Sequence, residues 1–121
     1  ELGGGGSTTV RSVAIAKRGV KNLLHHAGVL AGDPEMEPSA DLYMPDHRCF
    51  ISSETTGLLE LCVDLGDSVS EGQLLARVYD MERTGRNPVE YLSPLDGVFV
   101  ARHFPGLVGM GDIVGVVAVE G

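Results

Sequence analysis

The chain has 121 residues, with 9 basic against 17 acidic side chains and a formal net charge of −8, the size of one ordinary domain or two very small ones. The acidic balance argues against nucleic-acid or anionic-membrane binding, since both partners select basic faces, and no apolar run approaches the ~20 residues of a membrane span. Two cysteines, Cys49 and Cys62, are too few for a disulfide framework, so a reducing compartment, the cytoplasm, is the expected setting.

In chain order, the first residue is Glu1 and the first methionine Met36, so the sequence is expected to begin inside a longer reading frame. Residues 1–8 read Glu-Leu-Gly-Gly-Gly-Gly-Ser-Thr. The glycine run is no phosphate-cradling P-loop, because the lysine that must follow its last glycine is missing. From residue 9 to about 30, Val10, Val13, Ala14, Val20, Leu23, Leu24 and Ala27 recur at three- and four-residue steps, which predicts a helix. Ser7, Thr8 or Thr9 would cap its start, and Gly28 or Gly32 followed by Pro34 would end it. Lys17, Arg18 and Lys21 read as its solvated side, and the adjacent His25 and His26 as surface residues. A stretch rich in Pro, Asp, Glu and Ser follows, a linker or extended segment over 33–48.

From Cys49 onward the helical period disappears, and short Val/Leu/Ile runs alternate with glycine turns, as in a small all-β unit. Cys49 and Cys62 read as small buried hydrophobes. An internal repeat is visible. Gly57 leads to Gly66, and Gly97 leads to Gly106, each pair nine residues apart. Gly72 and Gly111 follow, each opening a strand. Two copies of one strand–turn–strand design predict a pseudo-twofold sandwich or flattened barrel over 49–121. Gly66-Asp67 and Gly111-Asp112 read as turns, with too few oxygen ligands between them for calcium.

Gly66-Asp67-Ser68-Val69 through Gly72, then Ser93-Pro94-Leu95-Asp96-Gly97-Val98, then Gly111-Asp112, resemble the biotinyl/lipoyl barrel-sandwich hybrid. Carrier members of that fold present a lysine on the hairpin between the halves. The matching stretch here, Tyr79-Asp80-Met81-Glu82-Arg83-Thr84-Gly85, has none, and the chain's only lysines are Lys17 and Lys21. Without that amine no prosthetic group can be attached, which argues against a carrier.

A second resemblance covers nearly the whole chain. Glu1-Leu2-Gly3-Gly4-Gly5-Gly6, the helix ending Asn22-Leu23-Leu24-His25-His26-Ala27-Gly28-Val29-Leu30, and the β half together look like the carboxy-terminal part of the succinylglutamate desuccinylase/aspartoacylase family, in its diaminobutyrate N-acetyl deacetylase branch. The resemblance implies a zinc-dependent hydrolase of N-acyl amino acids or related small amides and esters. It assigns residues 1–32 to the tail of an α/β catalytic domain. Glu1 falls where the family places a catalytic glutamate, a group that takes a proton from a zinc-activated water. The family's zinc ligands, a His-x-x-Glu pair and a later His, would lie upstream. Neither His25-His26 nor the isolated His47 and His103 supplies a substitute set, so no metal site is expected in these residues, and the chain alone is expected to be inactive. Arg102 and His103, before Phe104-Pro105-Gly106, are placed at substrate access, because family members narrow their cleft with this domain. An apolar helix without its partner sheet makes a homo-oligomer the expected assembly. The competing reading is a free-standing β-sandwich module for binding or assembly.

Overall fold

The computed structural model describes residues 8–121. The chain divides after Ser39 into two compact units, the second running Ala40–Gly121. Mainly β with one helix, it follows the periodicities of the sequence in outline.

In the first unit, helix α1 spans Val10–His26. Thr9 caps it reciprocally: its hydroxyl accepts from the Ser12 amide at 3.1 Å, and the Thr9 amide donates to the Ser12 hydroxyl at 2.9 Å, satisfying two donors that the first turn leaves orphaned. The helix ends four residues before the predicted limit, where Gly28 takes a φ of 70°. The chain then turns back along the helix. Asn22 holds Glu35 by both backbone groups, at 2.7 and 2.8 Å, and Arg18 pairs with Glu37. No residue of α1 is buried; Val10, Val20 and Leu23 are exposed.

The second unit has nine strands: β1 (Leu42–Tyr43), β2 (Phe50–Ser52), β3 (Gly57–Leu61), β4 (Ser68–Val69), β5 (Leu74–Tyr79), β6 (Val89–Leu92), β7 (Gly97–Arg102), β8 (Leu107–Val108) and β9 (Ile113–Glu120). The β unit therefore starts at Ala40 and not at Cys49. Leu42 and Tyr43 pair with Glu120 and Val119, and the Gly121 amide donates to the Asp41 carbonyl, so the last part of the 33–48 stretch adds a strand. A single 3-10 turn, His47–Cys49, joins β1 to β2, with Asp46 as its N-cap.

The strands form two antiparallel sheets. One has the order β1-β9-β7-β4, with β2 also on β9; the other is β6-β5-β3-β8. The repeat is built from β2–β5 and from β6–β9, and the halves exchange strands. β4 of the first half pairs with β7 of the second, and β8 of the second pairs with β3 of the first. Each half also lends its opening strand to the other: β2 to β9, and β6 to β5.

Glycine makes the crossing possible at two equivalent points. A Cβ on Gly57 would sit 2.2 Å from the Tyr79 carbonyl oxygen, and one on Gly97 would sit 2.3 Å from that of Ala118. The repeat is longer than glycine spacing alone suggests. Ser53 and Ser93, each four residues before those glycines, are buried and donate side-chain hydrogen bonds to the carbonyls of Thr55 and Leu95. Phe99, Leu75, Val78, Val108, Val114 and Val117 fill the space between the sheets, with at most 1% of each exposed.

Candidate functional site

Glu1 and the Gly3–Gly6 run lie outside the described residues. The remaining candidates fall on the β unit and on α1, and the structure does not gather them into a reacting centre. His25 and His26 sit in the last turn of α1. His103 follows β7: its amide donates to the Val114 carbonyl at 2.9 Å, and its Nε2 lies 3.1 Å from the Leu107 carbonyl oxygen. That ring closes the turn between β7 and β8. Arg102 is exposed and has no ion-pair partner among the described residues.

One cleft of the β unit lies beside the lysine-free hairpin. About 420 Å³ in volume, it is lined by Thr55, Thr56, Gly57, Asp80, Met81, Glu82, Arg83, Leu107 and Met110. Asp80 shapes one wall: its Oδ1 accepts from the amides of Glu82 and Arg83 at 2.9 and 3.2 Å, an Asx-type turn. Thr56 shapes the other by accepting from the Met110 amide at 3.2 Å. His103 reaches the cleft only through the Leu107 carbonyl it engages. Thr55, Thr56 and Met110 carry no sequence signal of a site; the signal available was the buried serine four residues before each repeat glycine, which fixes where the Thr55–Thr56 loop must run.

Two polar clusters lie elsewhere. Across β3, β5 and β6, Arg77 stands between Glu60 and Glu90, its Nε 3.0 Å from Glu90 and its guanidinium 3.5 Å from Glu60. The Tyr79 hydroxyl donates to Glu60 at 2.7 Å, and this bond to a carboxylate pushes the phenol's pKa up. At the 3-10 turn, the hydrogen bond from the Arg48 side chain, then that from its amide, holds the Asp46 carboxyl down at about 2. Exposed pairs of this kind add little stability. Cys49 is buried, but Cys62 is exposed, against the expectation that both are buried. Leu61 points inward opposite the buried Ala76, so strand alternation turns Cys62 outward. What burial it retains pushes its thiol up.

The described residues do not fit a zinc ion: no three His, Cys, Asp or Glu side chains among them come together to hold a metal. They offer a cleft and a folded scaffold. No described helix is long and apolar enough to cross a membrane.

No family model matches the chain. It is 53% identical, over 98% of its length, to the N-alpha-acetyl-L-2,4-diaminobutyric acid deacetylase of Halomonas elongata, and covers 35% of that protein. The product-bound ectoine utilization protein EutE (DoeB) from Ruegeria pomeroyi superimposes with a TM-score of 0.91 at 52% identity, over 98% of this chain and 36% of that one. A succinylglutamate desuccinylase/aspartoacylase from Rhodobacter sphaeroides gives 0.90 at 31% identity, over 99% of this chain and 39% of that one. The chain thus spans little more than a third of the length of the relatives it matches. Over that span, it is similar to members of the succinylglutamate desuccinylase/aspartoacylase family.

Proposed function

We propose that the chain is the carboxy-terminal part of a longer hydrolase that deacylates small N-acyl amino acids or related amides and esters. The observation that carries this reading is the 53% identity to a diaminobutyric acid deacetylase over nearly the whole chain. Residues 1–32 then belong to the end of the catalytic domain. Glu1 acts there as general base, taking a proton from the attacking water and returning it to the leaving amine. Zinc belongs to this proposal only as a group held by residues of the longer protein. The β unit is a barrel-sandwich hybrid, a reading supported by the exchange of strands between its halves. Arg102 and His103 lie at substrate access, with His103 acting through the turn it closes. The enzyme works in the cytoplasm as a homo-oligomer.

The test is to purify the native gene product, measure its mass and metal content, and assay amine release from N-acetyl-2,4-diaminobutyrate and N-acetylaspartate beside the 121-residue chain. A product well above 12.8 kDa that turns over, with the short chain inactive and metal-free, is the expected result. Turnover by the short chain would overturn the assignment of the ligands upstream. The competing reading, a free-standing binding module, is favoured by the separate core of the Ala40–Gly121 unit, and a native mass of 12.8 kDa would establish it.

A further inference from the structure

The hairpin that joins the two repeat halves, residues 80–88, contributes nothing to the core. Residues 80–87 are exposed. Asp80 accepts from the amides of Glu82 and Arg83, and among the described residues no hydrogen bond from 81–87 reaches another element. Gly85 turns the tip with a φ of 82°. Exposed loop tips are where proteases cut, and the distribution of arginine singles this one out. The unit Ala40–Gly121 has no lysine and five arginines. Arg48 sits in the 3-10 turn, ion-paired with Asp46; Arg77 lies within β5, between Glu60 and Glu90; Arg102 ends β7, paired with Gly115. Arg83 and Arg86 alone stand in an open loop. Residues 80–88, drawn out, span about 30 Å, so the hairpin can enter a protease groove without either flanking strand opening.

The strand exchange decides what remains after such a cut. Five of the seven ladders join strands on opposite sides of the hairpin: β1 and β2 with β9, β3 with β8, β4 with β7, and β5 with β6. Only β3–β5 and β7–β9 lie within one side. The ten residues of the buried core are shared evenly, five from Ile51 to Val78 before the hairpin and five from Tyr91 to Val117 after it. Tyr91, buried in the second half, accepts from the Glu54 amide of the first at 2.9 Å, and its hydroxyl lies 3.1 Å from the Ser53 Oγ. Neither side has a complete sheet or core without the other. Cutting the hairpin removes one covalent link and leaves the packing in place.

We propose that residues 80–88 are a processing site for an arginine-specific endoprotease, and that the product is a two-chain β unit in which each half is the other's folding partner. Water adds across the Arg83–Thr84 or the Arg86–Asn87 peptide bond, leaving a carboxylate on the arginine and an ammonium on the next residue. Both new charges stand in solvent, where they cost the fold little. The site is independent of the reaction that the longer protein catalyses.

The experiment applies trypsin at low ratio to the folded 121-residue chain and to the native gene product, with fragments identified by denaturing and native mass spectrometry. The first cut within the β unit is expected after Arg83 or Arg86, in both proteins, with the two pieces retained in one native particle. Unfolding of the cut 121-residue chain becomes bimolecular. Its melting temperature, followed by circular dichroism, should fall by about 5–10 °C for each tenfold dilution, while that of the uncut chain stays constant. Replacing both arginines, Arg83→Gln with Arg86→Gln, should abolish the cut and move the uncut melting temperature by less than about 4 °C. A first cut after Arg48, Arg77 or Arg102, or a hairpin that resists cutting in the native gene product, would overturn the processing site. Halves that separate once cut, or a cut chain whose melting temperature ignores dilution, would overturn the mutual folding of the two halves.

Discussion

Replacing Gly57 or Gly97 with alanine tests the strand crossing directly. At each position the new methyl would stand 2.2–2.3 Å from a backbone carbonyl oxygen, of Tyr79 or Ala118, about 1 Å inside an ordinary carbon–oxygen contact. The obstacle is main chain, so no rotamer change relieves it. β3 must part from β5, or β7 from β9, and the paired residues Leu58↔Tyr79 and Val98↔Ala118 separate with them. Overpacking against a fixed neighbour costs about 2–4 kcal/mol, the upper end of the usual range. A small gain from the stiffer unfolded chain subtracts less than ~1 kcal/mol. For a unit of this size the melting temperature should fall by about 10–20 °C. Urea unfolding followed by far-ultraviolet circular dichroism measures both variants, with Gly19→Ala as the clash-free control because nothing lies within 4 Å of its Cβ. The two losses should agree within about 1 kcal/mol, since the repeat makes the sites equivalent. A loss below ~1 kcal/mol at either glycine, or a large difference between them, would refute the reasoning.

Phe99, fully buried at 0% exposure, should cost about 3–5 kcal/mol when cut to alanine, leaving a partly unfolded β unit by tryptophan-independent probes such as near-ultraviolet ellipticity. The Asp46 carboxyl should titrate at about 2 in carbon-detected NMR, and Arg48→Ala should return it towards 3.8. Because the folded value is the lower one, the stability this group contributes is present above the unfolded value and is lost as pH falls from 3.8 through about 2. Ellman's reagent should label Cys62 in the folded chain and Cys49 only in denaturant, given their exposure. The Cys62 rate should still be climbing at pH 9.0, the ordinary thiol value, because its own is raised.

Much of this architecture was legible in the sequence because glycine is expensive to place idly. The nine-residue spacing from Gly57 to Gly66 and from Gly97 to Gly106 marks two copies of one design, and both copies are there. The exchange between copies was not legible. Which strand β4 or β8 joins is settled by long-range packing, to which local pattern is blind. β1 was hidden for a related reason: two residues, Leu42 and Tyr43, form a strand only because β9 runs on to Glu120 beside them. The polar composition around them reads as linker when that partner is out of view. Cys62 shows the limit of residue-type averages, since alternation along β3 overrides the usual burial of cysteine. A catalytic role for Glu1 was suggested only by resemblance, and Glu1 lies outside the described residues.

The position of β9 governs how such a chain is born. Ile113–Glu120 follows every other described strand in the chain, yet it sits at the heart of its sheet, paired with β1, β2 and β7. Every nascent chain stopped before it carries three strands waiting for one partner, with the apolar residues destined for the interior still exposed. Folding of this unit is therefore closed by distant pairings, slow for its size and open to chaperone capture. A stop placed before β9 leaves β1, β2 and β7 without the strand they share.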